Sequence, residues 1–317
     1  MVRTFIIFLL SISIANAFGQ NQNIGNEKMP NHQNIKGTQV WLVPPVGFVL
    51  STDYKGFKDT TDKMSMIMVT EMKGPYSEIS KAFDGSRPLP NIEVKETKNL
   101  QIGKHNATSV TIEQSANGLI FKKIILIIDD STQTVMINSI FLKDSVALGT
   151  NIEKSMQSVF YDDNQIVDSR GSLDYTIDEV NTNLKFSSVM GNAMIFTLDG
   201  KTPTQAKNKL SFVIDKSYAN AEISNQKMFC LSRLKKMSYE STKIDLEKGL
   251  KEVEIGGLKG YELFAKAYKK EGIFQECVYQ IILFAPKNYF IMLGTYEDET
   301  SENIETLKKI TRTFKLK

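Results

Sequence analysis

Met64, Met66 and Met68 alternate along one short segment, with Met72 just beyond. Alternation puts three thioethers on one side of a strand, and thioether sulfur is a soft donor suited to copper(I). The corresponding segment in the second half of the chain has Leu210, Phe212 and Ile214, which are ordinary core choices. The triplet therefore reads as core, with methionine filling gaps. The only histidines are His32, in an Asn/Gln-rich stretch, and His105, in the turn Gly103-Lys104-His105-Asn106, whose counterpart carries Leu258. Zinc sites and nucleophile triads need a well-placed histidine in most of their forms, so this scarcity argues against zinc or hydrolase chemistry.

The carboxylates are no more suggestive of catalysis. Asp129 and Asp130 are adjacent in a turn after an apolar run, where neighbouring side chains diverge; a catalytic carboxyl pair converges across a cleft. Asp162, Asp163 and Asp168 lack the alternating oxygen ligands and central glycine of an EF-hand loop and read as solvated linker. Cys230 and Cys277, the only cysteines, are 47 residues apart rather than in a Cys-x-x-Cys. In an exported chain an even count permits a Cys230–Cys277 disulfide, and two buried thiols serving as small apolar side chains are the alternative. There is no glycine-rich phosphate loop, dinucleotide fingerprint or Gly-x-Ser-x-Gly elbow. No catalytic, cofactor-binding or metal-binding residue is assigned, and no cofactor is expected.

The elements that would position any site begin behind a leader. Arg3, an apolar run over residues 5–14, and small residues at Ala15 and Ala17 form a signal-peptide pattern, with cleavage expected after Ala17 and export to the periplasm or medium. That run is too short for a bilayer, which needs about 20 apolar residues, and no membrane span is expected elsewhere. Losing Arg3 leaves a formal charge of +2, and the basic residues are scattered pairs such as Lys122 with Lys123. Nucleic-acid binders instead cluster their cations on one face, so no nucleic-acid partner is expected. Residues 18–36 are dominated by Asn and Gln and read as a flexible tether.

The remainder is built twice. Ile102, Gly103, Phe121 and Phe160 recur as Ile255, Gly256, Phe274 and Phe314 at an offset of 153 to 154 residues. In the first copy, residues 40–42 and 65–69 read as strands, and Gly74-Pro75 leads into a short helix with Tyr76, Ile79 and Phe83 on one side. Three strands follow: one alternating at Thr108, Val110 and Ile112, one continuously apolar over 124–128, and one over 135–141. Asn117-Gly118 predicts the hairpin turn between the first two. A helix striped by Leu148, Ile152, Met156 and Val159 closes the copy. After the polar stretch 162–171 the pattern restarts, with a helix around Met228, Leu231 and Leu234 and a closing helix capped by Thr300. The expectation is an α+β chain of two tandem domains, residues 37–161 and 172–317, each an antiparallel β-sheet packed with helices.

The element order, the VPPVGF segment at 43–48, the MIMVTEMKGPYSEI segment at 66–79 and the Ile102-Gly103 turn resemble the PsbP-like superfamily, which spans PsbP, Ran-binding, DcrB and LpqN types. The first copy is most similar to exported bacterial proteins of that kind. The resemblance implies a PsbP-like scaffold in each copy and an accessory or binding role with an unidentified protein or small-molecule partner in the envelope. No functional residue is carried over. The alternatives are an enzyme or enzyme subunit with its site in the inter-domain cleft, and a structural envelope component.

Overall fold

Asn117 and Gly118 both have positive φ, 53° and 77°, as a tight hairpin turn between right-twisted strands requires. A twelve-residue strand lies on either side of them, and this hairpin is the spine of the first half. The computed structural model describes residues 22–62, 64–83, 91–218, 223–237, 239–244, 249–297 and 300–317. The leader 1–17, the first tether residues 18–21 and the proline-containing stretch 86–90 lie outside the described residues.

In chain order the first half runs β1 (Gln22–Ile24), β2 (Gln33–Asn34), β3 (Val40–Leu42), β4 (Phe48–Leu50), β5 (Gly56–Asp59), β6 (Met66–Met72), α1 (Tyr76–Lys81), β7 (Ile92–Ile102), β8 (His105–Ala116), β9 (Leu119–Asp130), β10 (Gln133–Leu142), α2 (Val146–Gln157) and β11 (Phe160–Tyr161). The second runs β12 (Tyr175–Thr176), β13 (Lys185–Met190), β14 (Ala193–Thr197), β15 (Ser211–Lys216), α3 (Gln226–Lys235), β16 (Ser241–Ile244), β17 (Leu250–Ile255), β18 (Leu258–Tyr268), β19 (Phe274–Phe284), β20 (Tyr289–Tyr296), α4 (Ser301–Thr311) and β21 (Lys315–Leu316). The fold class is α+β. One eight-stranded sheet has the order β1-β7-β8-β9-β10-β6-β5-β4; the other is β13-β14-β15-β20-β19-β18-β16, with β17 also on β18. Apart from β1 and β16, the same strand order is laid down twice.

Each sheet has a main core on one face. In the first half Ile67, Val69, Leu126, Ile128 and Ile137 pack with Ile152 and Met156 of α2. In the second, Phe212, Ile214, Tyr279, Ile281 and Met292 pack with Leu307 and Ile310 of α4. The opposite faces carry smaller clusters, under α1 around Val110 and Ile127 and under α3 around Leu263 and Val278. Residues 124–128 are all buried, as a strand covered on both faces must be. The side chain of Thr300 accepts from the Asn303 amide, so the predicted cap of α4 is in place.

Several expectations change. The tether is ordered over its described part: β1 pairs in parallel with β7, and Ile35 is fully buried. Its polar residues cover a sheet edge and satisfy backbone groups: Asn26 bonds both the carbonyl and the amide of Tyr161.

The methionine stripe is not in the main core. Ile67 and Val69 point inward at 0 % exposure, whereas Met66 and Met68 are half-buried on the other face and Met64 is exposed. The sequence correspondence was out by one residue, and in a strand one residue exchanges the two faces; Phe212 and Ile214 match Ile67 and Val69.

In α3 the buried residues are Cys230 and Leu234, while Met228 is exposed. Pro75 caps α1 from the position before its first turn.

Cys230 and Cys277 are both buried and not bridged to each other. Cys277 faces the α4-side core of its sheet, and Cys230 lies in α3 against the other face, so the sheet itself keeps the two thiols apart.

Candidate functional site

Glu71 and Lys216 are the residues that sequence reading passed over. β6 points Ile67, Val69 and Glu71 inward, and β15 points Phe212, Ile214 and Lys216 inward. The third inward position of equivalent strands is thus charged in both halves, and both residues are buried, at 8 % and 5 % exposure. Alternation alone places them there, because a strand that buries two apolar residues buries the next residue of the same parity. A buried charge is tolerated only with a partner. Glu71 receives Lys55 Nζ at 3.1 Å, and Lys55 donates also to the Gly37 carbonyl at 2.9 Å. Lys216 donates to Asp174 Oδ2 at 2.6 Å.

These pairs lie where the halves meet. One cleft, of about 290 Å³, is lined from the first half by Lys36, Leu50, Tyr54 and Lys55 and from the second by Asp174, Tyr175, Asn192 and Lys216. A second is lined by Gln39, Glu71 and Lys73 on one side and Phe186 to Val189 on the other. The junction is held by Asn192 donating to the Asp53 carbonyl, Lys73 donating to the Ser187 carbonyl, and an edge-on contact of Tyr54 with Tyr218 at 6.2 Å between ring centroids. Tyr175 is fixed by its hydroxyl, which donates to the carbonyl of Asn192 at 2.6 Å. Burial pushes the phenols of Tyr54 and Tyr175 well above their ordinary range.

Asp215 adjoins Lys216 but faces α3, since adjacent strand residues take opposite faces. Burial raises its carboxyl to about 6, against the lowering effects of the Lys216 amide and Arg233. Its Oδ1, Arg233 Nε and Gln280 Oε1 are buried without a hydrogen-bond partner.

The residues singled out from sequence are placed as follows. His105 is buried, with Nδ1 at 2.9 Å from the Asp129 carbonyl and Nε2 at 2.8 Å from Asp163 Oδ1. His32 takes the Met29 amide on Nδ1 at 2.7 Å and bonds the Ser158 carbonyl through Nε2. Both rings spend both nitrogens on the scaffold.

Asp130 accepts from the Tyr161 hydroxyl at 2.7 Å. Asp163 also meets Lys104 at 3.2 Å, Asp162 accepts from the Asn164 amide and Asp168 from the Gly171 amide, so the acidic cluster disperses into separate local bonds. Another buried carboxylate, Glu262, accepts from Tyr279 and from Arg312 at 3.0 Å, tying α4 to its sheet. No group of three or more metal-ligating His, Cys, Asp or Glu side chains occurs among the described residues.

No protein-family model and no curated protein sequence matches the chain. Among solved structures it is similar to cyanobacterial PsbP from Synechocystis sp. PCC 6803, at 9 % identity over 42 % of this chain and 94 % of that one, with a TM-score of 0.32. It is similar to LpqN, involved in cell envelope biogenesis of Mycobacterium tuberculosis, at 13 % identity over 38 % of this chain and 82 % of that one, TM-score 0.31. The apo immunity protein TplEi of T6SS from Pseudomonas aeruginosa overlaps 90 % of this chain and 97 % of its own, at 9 % identity and a TM-score of 0.30. Scores at this level assign the chain neither a family nor a ligand.

Proposed function

We propose that the chain is an exported, non-catalytic binding or accessory protein of the bacterial envelope, made of two PsbP-like units joined through residues 162–171 and working through the cleft between its halves. The leader pattern at residues 1–17 supports export. The observation that carries the reading is the buried charge repeated at one strand position in both halves, with both copies opening onto the junction. A fold does not need a charge there, since the preceding inward positions are apolar. Buried charge at a concave site between two units is a feature of binding sites. Burial raises the phenols of Tyr54 and Tyr175 in the wall of the larger cleft, away from proton transfer at neutral pH.

The test is recovery of the mature protein from its own envelope fraction, alongside a variant in which Thr52, an exposed residue of the cleft wall, becomes Trp. A co-purifying species lost in Thr52→Trp is the expected result. A species retained equally by both proteins would move the site away from the cleft.

A further inference from the structure

We propose that the larger cleft takes a small organic monocarboxylate, its anionic end held by Lys216 and Lys36 and its apolar body against Leu50, Tyr54 and Leu173. The proposal rests on the reading of the cleft as the binding site and adds the ligand's class. Lys216 has a side chain 5 % exposed. An ammonium has three N–H donors, and among the described residues Lys216 uses only one, to Asp174. Buried donors are satisfied by something, and Lys216 is one of the residues that line the cleft.

The partner Asp174 is itself half exposed at 51 %, and it lines the same cleft as Lys216. Charge accounting gives the sign. The lysines in and behind the lining, Lys36, Lys55, Lys58 and Lys216, face Asp53, Glu71 and Asp174. Glu71 is committed to Lys55, Asp53 to Lys58 and Asp174 to Lys216, whereas Lys36 is exposed and has no ion pair among the described residues. One positive charge is left over, which matches a monoanion rather than a phosphate dianion. The volume of about 290 Å³ is at the small end for ligand sites, which suits a single-ring acid.

Calorimetry and thermal shift on the full mature chain, with benzoate, benzamide and inorganic phosphate as probes, test this. Benzoate should bind and raise the melting temperature, benzamide and phosphate should not, and Lys216→Met and Lys36→Gln should each weaken benzoate by about tenfold or more. Lys36 is exposed, so the second variant reports on binding even if the first folds poorly. Equal binding of benzoate and benzamide, abolished by Thr52→Trp, would overturn the anion assignment and leave the cleft as the site. Benzoate binding unchanged in both lysine variants, or preference for phosphate, would overturn it as well. No binding of any probe overturns the ligand class, while the cleft reading stands or falls on the co-purification experiment.

Discussion

Lys55 and Glu71 meet at 3.1 Å with side chains 5 % and 8 % exposed, beneath the Gly37 carbonyl that Lys55 also holds. Desolvating two charges costs several kcal/mol each, and attraction between them offsets that only while both are present. Glu71→Gln should therefore cost about 3 to 5 kcal/mol in urea unfolding, because the Lys55 ammonium is left buried without its counter-charge. The double variant Lys55→Met with Glu71→Leu should recover most of that loss, as apolar replacement of a buried pair is near neutral or stabilising. A double variant no more stable than Glu71→Gln would show that the pair is needed as such.

Ile67 and Met66 are neighbours in β6 that face opposite sides of the sheet, the first fully buried and the second half-buried. Ile67→Ala should open a cavity and cost about 2 to 5 kcal/mol, while Met66→Ala should cost only about 1 kcal/mol. Denaturant titration of the two variants side by side decides it. Equal losses would mean that the far face is as tightly packed as the main core.

Much of the fold was legible because strong patterns wrote it. Asn117-Gly118 fixed a hairpin, the run 124–128 a doubly covered strand, and Thr300 a helix start. The elements that escaped notice carry little apolar signal. β7 is exposed along most of its length and places Lys95, Glu96 and Lys98 where a buried strand would alternate, as strands near a sheet edge do. β1 and β2 are three and two residues long in an Asn/Gln-rich context, and composition does not reveal pairing.

The candidate site was missed for another reason. With Met66 and Met68 taken as the inward residues, Glu71 falls on the outer face and looks solvated; its burial and its match with Lys216 follow only once Ile67 and Val69 face the core. A charge that completes an inward apolar alternation is the sequence signal for both.

Cys230 is buried, and burial pushes its thiol up to about 12. The thiolate is the reactive form, so the folded protein at pH 8 should resist alkylation there. Cys277 is also buried, on the other side of its sheet. Unreduced protein denatured in urea should then titrate as two thiols. Titration of none would establish a bridge and would require the second sheet to be rearranged.

Asp215 sets a pH dependence of unusual sign. Its carboxyl is raised from an ordinary 3.8 to about 6, with desolvation as the main cause. A raised acid binds its proton more tightly in the folded state than in the unfolded one, so between those two values the native state holds more protons and stability falls as pH rises. The contribution is largest below about pH 4, declines through the window to about pH 6 and is flat above it. Two units correspond to at most about 3 kcal/mol at 1.36 kcal/mol per unit.

Asp215→Asn removes the ionisation and keeps the shape, and should therefore stabilise the protein above pH 6 while changing little near pH 4. Arg233, the buried Tyr175 and the exposed Tyr218 share its electrostatic surroundings, so Arg233→Met should steepen the decline by removing the cation that lowers the carboxyl. Melting curves of the three proteins from pH 4 to 8 measure both effects. A variant Asp215→Asn that loses stability at pH 7, or a parent whose stability rises steadily from pH 4 to 6 as in ordinary acid denaturation with the variant following the same slope, would show that the Asp215 carboxylate is stabilised in the folded state and not strained.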